Sequence, residues 1–210
     1  MPRAGLTPDR VARAAADLAD ERGWEQLTLA AVADSLGVRQ PSLYKHVASL
    51  AALRRMVSRL AVTELGERLM SAVAGRSGTD ALQQLAAAYR RYAHERPGRY
   101  AASVVAPAPG DDEHARVGEA IIATIAAVLR GYHIGDGPAD ESVLHAIRAL
   151  RAVLHGFVAL EAAGGYALAL DLDESYRRLV DGFDAALRRQ AEQPRDAGTP
   201  VGATTVRGAR

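Results

Sequence analysis

An all-α fold built as two helical units is what this sequence predicts, and three observations carry the prediction. Apolar residues make up 49% of the 210, yet Phe, Trp and Tyr together only 5%. Much of the apolar fraction is alanine, which suits close-packed helix faces better than aromatic-rich sheets. Apolar positions recur every three or four residues between capping residues and Gly/Pro breaks, and no alternating run of strand length stands out. Charged residues at 24% complete the profile of a globular chain of one or two domains and exclude disorder along its whole length.

The first helix begins at Thr7-Pro8, a hydroxyl that can cap free amides followed by a ring that gives up no needed hydrogen bond. Its face is Val11, Ala14, Ala15, Leu18 and Ala19, and Gly23 ends it. Thr28 caps a second helix with Leu29, Val32, Ala33 and Leu36 inward, and Gly37 supplies a left-handed turn. Pro41 is expected at the first position of a third helix reaching Val47, which buries Leu43 and Val47. Ser49 caps a longer helix from about Leu50 to Ala74. A helix from Thr79 to Glu95 buries Leu82, Leu85, Tyr89 and Tyr92, and after Pro97-Gly98 a short segment runs to Pro107 and Pro109. Asp111, Asp112 and Glu113 crowd the positive end of the next helix, whose stripe is Val117, Ile121, Ile125 and Val128. A long helix from Pro138 carries Val143, Ile147, Leu150, Leu154 and Val158, and a last one starts at Asp171 or Asp173. The expected domains are residues 1–50, residues 51–192, and a disordered tail at 193–210 rich in Pro, Gly, Thr and Ala.

Several function classes drop out. Without cysteine there is no disulfide, thiolate metal site or cysteine nucleophile. The histidines at 46, 94, 114, 133, 145 and 155 contain no pair three or four apart, so neither a helical metal motif nor a cofactor is expected. An acidic first helical turn accounts for Asp111 to His114 better than a cation site does. The longest uncharged stretch, Tyr100 to Gly110, is too short for a bilayer, and the N-terminus has no signal-peptide core, so a cytoplasmic protein without a membrane partner is expected. The net charge of +1 divides unevenly, with nine Lys/Arg against six Asp/Glu in residues 1–60 and 17 against 19 beyond.

Three short helices with a glycine turn before the third describe a helix-turn-helix. The outward residues of the third are chemically mixed, as base readout requires. Gln40 can pair with a base edge, Pro41 and the Tyr44 ring can touch a thymine methyl, and Ser42, Lys45 and His46 can reach bases or phosphates. Thr28 offers a hydroxyl and free amides at a helix N-terminus. The competing reading is a solvated polar face on an ordinary three-helix subdomain.

The residue string decides between them. Leu27-Thr28, Val32-Ala33, Leu36-Gly37-Val38 and Gln40-Pro41-Ser42-Leu43-Tyr44-Lys45-His46-Val47 strongly resemble the DNA-binding domain of the TetR family of transcriptional regulators, over about residues 7–55. The resemblance implies an all-helical homodimer that binds a palindromic double-stranded DNA operator and takes up a small-molecule inducer in its C-terminal domain. It implies backbone contacts from Tyr44 and His46, and base-facing positions for Gln40, Pro41 and Ser42. Farther on, Leu154-His155-Gly156-Phe157, Leu160-Glu161 and Gly164-Gly165-Tyr166 look like the C-terminal domain of one branch known for a Trp-His-Gly signature, with Leu154 in the tryptophan place. Two positions depart from the family pattern. Ala30 and Leu50 stand where basic, phosphate-contacting residues are common, while Arg39 and Arg55 lie nearby. Each lost phosphate contact flattens the salt dependence of binding by about one charge.

In the C-terminal half, Tyr89, Tyr92, Tyr100, Arg151, His155 and Glu161 are candidates for an inducer pocket. The competing reading makes the tyrosines core packing and has Glu161, Arg148 and Arg151 pairing within the dimer interface or reaching solvent. Val143, Ile147, Leu154, Val158, Leu179 and Phe183 are expected at a two-fold four-helix dimer interface. The function that follows is a ligand-responsive, non-enzymatic DNA-binding regulator, a repressor released by its inducer. The alternative, an all-helical enzyme or small-molecule carrier, requires a titratable constellation that the sequence does not display.

Overall fold

Most helix starts coincide with a side chain that caps them. The computed structural model describes residues 5–135 and 137–192, so the tail from 193 onward lies outside the described residues. Helix α1 spans Pro8–Arg22, with the Thr7 hydroxyl oxygen accepting from the Arg10 amide at 3.2 Å. A 3₁₀ turn at Trp24–Gln26 leads to α2 (Leu29–Ser35), capped by Thr28 on the Ala31 amide. Gly37, at φ +65°, turns the chain into α3 (Gln40–Leu43). Then follow α4 (Leu50–Val73), α5 (Gly78–Glu95), α6 (Pro97–Ser103), α7 (Asp112–Arg130), α8 (Glu141–Ala162) and α9 (Leu172–Glu192). Among the described residues there is no strand.

Three elements differ from the sequence reading. Pro41 is the second rather than first residue of α3, and regular helix stops at Leu43. The path to Val47 is a turn in which the Leu43 carbonyl accepts from both the His46 and Val47 amides, at 2.8 and 2.9 Å. The segment after Pro97 is a true helix, α6. Helix α8 begins at Glu141, where the Asp140 carboxylate accepts from the Ser142 amide, and Pro138 belongs to the preceding turn.

The side chains close into two cores joined by α4. The first gathers Val11, Ala15 and Leu18 of α1, Leu27, Val32, Leu43, Val47, then Leu53, Val57 and Ala61 of α4 and Ala102 of α6. It therefore draws on residues well beyond position 50. The second collects Leu65 and Leu69 of α4 with Leu82, Leu85, Tyr92, Leu129, Leu150, Leu154 and Val180. At 1.5 Å per residue the 24 residues of α4 run roughly 36 Å, long enough to serve both. Helix α8 has a mean hydropathy of 1.5 and the length to cross a membrane by composition alone, yet its inner face is packed into the second core.

That packing corrects the expected dimer interface. Val143, Ile147, Leu154 and Val158 are 1 to 7% exposed within a single chain, so they are core and present no surface to a partner. Leu179 and Phe183 are half-buried against the same core. Helix α8 is apolar around most of its circumference, and a periodic stripe cannot say which side faces inward. The outward side is Ala149, Ala152, Gly156, Ala159 and Leu160, the last 50% exposed.

Candidate nucleic-acid interface and effector centre

Two opposed faces mark α3 and its following turn as the candidate reading element. Leu43 and Val47 are buried in the first core, which fixes the segment's rotation. Arg39, Gln40, Pro41, Tyr44 and Lys45 are consequently exposed, with Ser42 and His46 half-buried at the margins. Gln40 Nε2 lies 3.4 Å from the Tyr44 hydroxyl, so these two side chains lie together on the outer surface. Neither Arg39 nor Lys45 has an ion-pair partner among the described residues, and their charge is free to meet a phosphate. Thr28 is exposed; its oxygen caps Ala31 and its hydroxyl proton remains free to donate. Arg55 is exposed and unpaired among the described residues, whereas Arg54 is engaged, stacked 5.4 Å from the Trp24 ring centre with an Nη2 contact to the Glu25 carbonyl.

The C-terminal candidates do not form one site. Tyr89 of α5, Tyr100 of α6 and His155 of α8 make a chain: the two phenol oxygens are 3.1 Å apart and Tyr100 Oη is 2.7 Å from His155 Nδ1. The Tyr89 and Tyr100 rings meet edge to face at 5.6 Å. Burial pushes both phenols up from their ordinary range, so each stays protonated and able to donate. Exposed Arg151 lies beside this group, its Nη2 3.5 Å from the Val104 carbonyl. Tyr92 stands apart, donating to the Ala61 carbonyl of α4 at 3.1 Å, as a core tether.

Glu161 is likewise elsewhere. Arg90 grips it with two hydrogen bonds, 2.9 and 2.5 Å, and reaches Asp173 at 2.7 Å, while His94 Nε2 is 2.9 Å from the same carboxylate. The Arg90 guanidinium also lies over the Tyr176 ring at 5.0 Å. Its hydrogen bonds hold the Glu161 carboxyl below the ordinary value. Arg90 and His94 carry no signal in the sequence that would join them to Glu161, because 71 and 67 residues separate the partners across helices.

Comparison with known proteins matches this division into an N-terminal reading unit and a C-terminal helical body. A family model described as bacterial regulatory proteins, tetR family, matches residues 12–55. A second, the tetracyclin repressor-like C-terminal domain, matches residues 82–183. An uncharacterized HTH-type transcriptional regulator of Mycobacterium tuberculosis, Rv0681, is 40% identical over 162 residues, covering 77% of this chain and 72% of that one. The chain belongs to the tetR family of bacterial transcriptional regulators. The regulator YobS of Bacillus subtilis, also described as uncharacterized and HTH-type, is 35% identical over 83% of this chain and 88% of its own. Among solved structures, a TetR variant from Acinetobacter baumannii AYE in complex with minocycline has a TM-score of 0.64 at 22% identity, covering 89% of this chain and 99% of that one. At that identity the likeness is one of fold. In this tetR-family chain the Gln40–Val47 segment lies within the residues matched by the N-terminal family model, with its polar side chains outward.

Proposed function

We propose that this regulator is a homodimeric repressor whose Gln40–Val47 segments enter successive major grooves of a palindromic operator, and that a small molecule bound in the C-terminal body releases it. The observation that carries the reading is the exposed, uncompensated set Arg39, Gln40, Tyr44 and Lys45 on a segment anchored by Leu43 and Val47. Gln40, Pro41 and Ser42 read base edges, Tyr44, Lys45 and His46 reach the backbone, and Thr28 takes a phosphate. The action is mechanical: two recognition segments must lie about 34–36 Å apart or a multiple of it, and small subunit rotations break that match. Support for an effector comes from the minocycline complex of a neighbour in fold and from the Tyr89–Tyr100–His155 chain, polar groups set against the apolar second core. The outward faces of α8 and α9, with Ala152, Ala159, Leu160, Leu179 and Phe183, make the dimer contact in this reading. A cytoplasmic location and the absence of catalysis follow from it.

Composition provides the test. Lys45 is the sole lysine of 26 basic residues, so amine acylation has only the N-terminal amine as competitor. DNA from upstream of the protein's own gene is expected to shield Lys45 from labelling, read by mass spectrometry, while scrambled DNA at matched salt does not. Acylated protein should bind that DNA more weakly, by at least one phosphate contact. Equal labelling in free, operator-bound and scrambled samples would contradict the docking.

A further inference from the structure

Helix α6 is seven residues long and has no cap of its own, since Arg96 supplies no side-chain hydrogen bond. The cap comes from α1: Asp20 Oδ1 accepts from the Arg99 amide at 2.8 Å. The same Asp20 carboxylate receives the Arg99 guanidinium, which also donates to Asp17 at 2.7 Å and lies 3.1 Å from Glu64 of α4. The Arg99 side chain is only 6% exposed. One buried cation thus collects three carboxylates, two from α1 of the DNA-binding unit and one from α4, the helix that joins the two units.

The contact is as close as backbone allows. A Cβ on Gly98 would lie 2.1 Å from the Ala19 carbonyl carbon and oxygen and 2.5 Å from the Asp20 nitrogen, so only glycine lets α6 touch α1 this way. The residue after Arg99 points to the other unit, where the Tyr100 hydroxyl joins Tyr89 and His155. Successive residues of one short helix therefore bind opposite halves of the molecule. Helix α4 also connects the halves over roughly 36 Å, a length over which helices curve gently, so the angle between the units depends on the contacts beside it. A tilt of a few degrees about it would carry α3 by about 2 Å, enough to spoil groove spacing.

We propose that Arg99 is the positioning residue that fixes the tilt of the DNA-binding unit on the C-terminal body. The inference rests on the reading of the chain as a DNA-binding regulator, and its test keeps the two separable. Because the chain has no cysteine, Ala48→Cys together with Gln84→Cys provides one spin-label pair per chain, on exposed sites of the two units. The distance is measured by pulsed electron resonance in dimers diluted with unlabelled protein. Neither DNA nor inducer is needed. Arg99→Met is expected to widen the label–label distribution about twofold and to lower affinity for upstream DNA about tenfold, with dimer mass unchanged. Arg99→Lys should restore part of both. Asp17→Asn removes one partner at a site whose side chain is 58% exposed, so folding is not at stake, and it should widen the distribution to a smaller degree. An unchanged distribution in Arg99→Met, or in Asp17→Asn should Arg99→Met fail to fold, overturns the proposal. Wild-type protein that binds no DNA contradicts the functional reading, and the distance measurement still decides the role of Arg99.

Discussion

Leu43 and Tyr44 are neighbours with opposite surroundings, one fully buried and the other 53% exposed. Leu43→Ala should therefore cost roughly 2–5 kcal/mol in denaturant unfolding, the range for a leucine deleted from a packed core. Tyr44→Ala should leave the melting temperature nearly unchanged while weakening operator binding in a gel shift. If Tyr44→Ala binds normally, this face is not the one that meets DNA. Glu161 gives a second expectation at this scale. Arg90 holds its carboxyl below the ordinary value of 4.5, so ionised Glu161 stabilises the folded chain fully above that pH, and the contribution fades as pH falls through the lower folded value. Glu161→Gln should be less stable than wild type at neutral pH, with the gap closing in acid. Chemical denaturation across pH 3 to 7 measures this, and a gap independent of pH would count against the Arg90 pairing.

At the scale of elements, local signals were legible and distant ones were not. Thr7, Thr28, Ser49 and Asp111 cap helices within three residues of themselves, and each could be read from the sequence. Helix α6 read as an unassigned segment because its cap, Asp20, lies 79 residues away. The reading segment was recognisable because its pattern is contiguous, although its regular helix ends early. The effector candidates scattered because a list of tyrosines and charges cannot say that Tyr100 meets His155 while Glu161 meets Arg90. Helix α8 differs for another reason: with apolar residues on both sides, Val143, Ile147, Leu154 and Val158 turn inward while Ala149, Ala152, Ala159 and Leu160 turn outward. That outer face yields a prediction. Ala159→Glu adds a charge at a position already exposed in one chain, so helicity should persist while light scattering reports monomers with reduced DNA affinity. A fully dimeric Ala159→Glu protein would move the interface elsewhere.

For the whole molecule, two cores share one long helix, and a short helix carrying Arg99 and Tyr100 bridges them. In the proposed reading, DNA recognition, dimerisation and effector response become one geometric condition, the separation of two Gln40–Val47 segments. A single experiment reaches that condition without knowing the operator or the inducer: selection of random duplexes by the full-length protein, followed by sequencing of the enriched pool. The predicted result is an enriched palindrome with half-site centres spaced by about 10–10.5 base pairs or a multiple, lost when Tyr44 and Lys45 are both replaced by alanine. Enrichment without two-fold symmetry, or enrichment that survives those replacements, would contradict it.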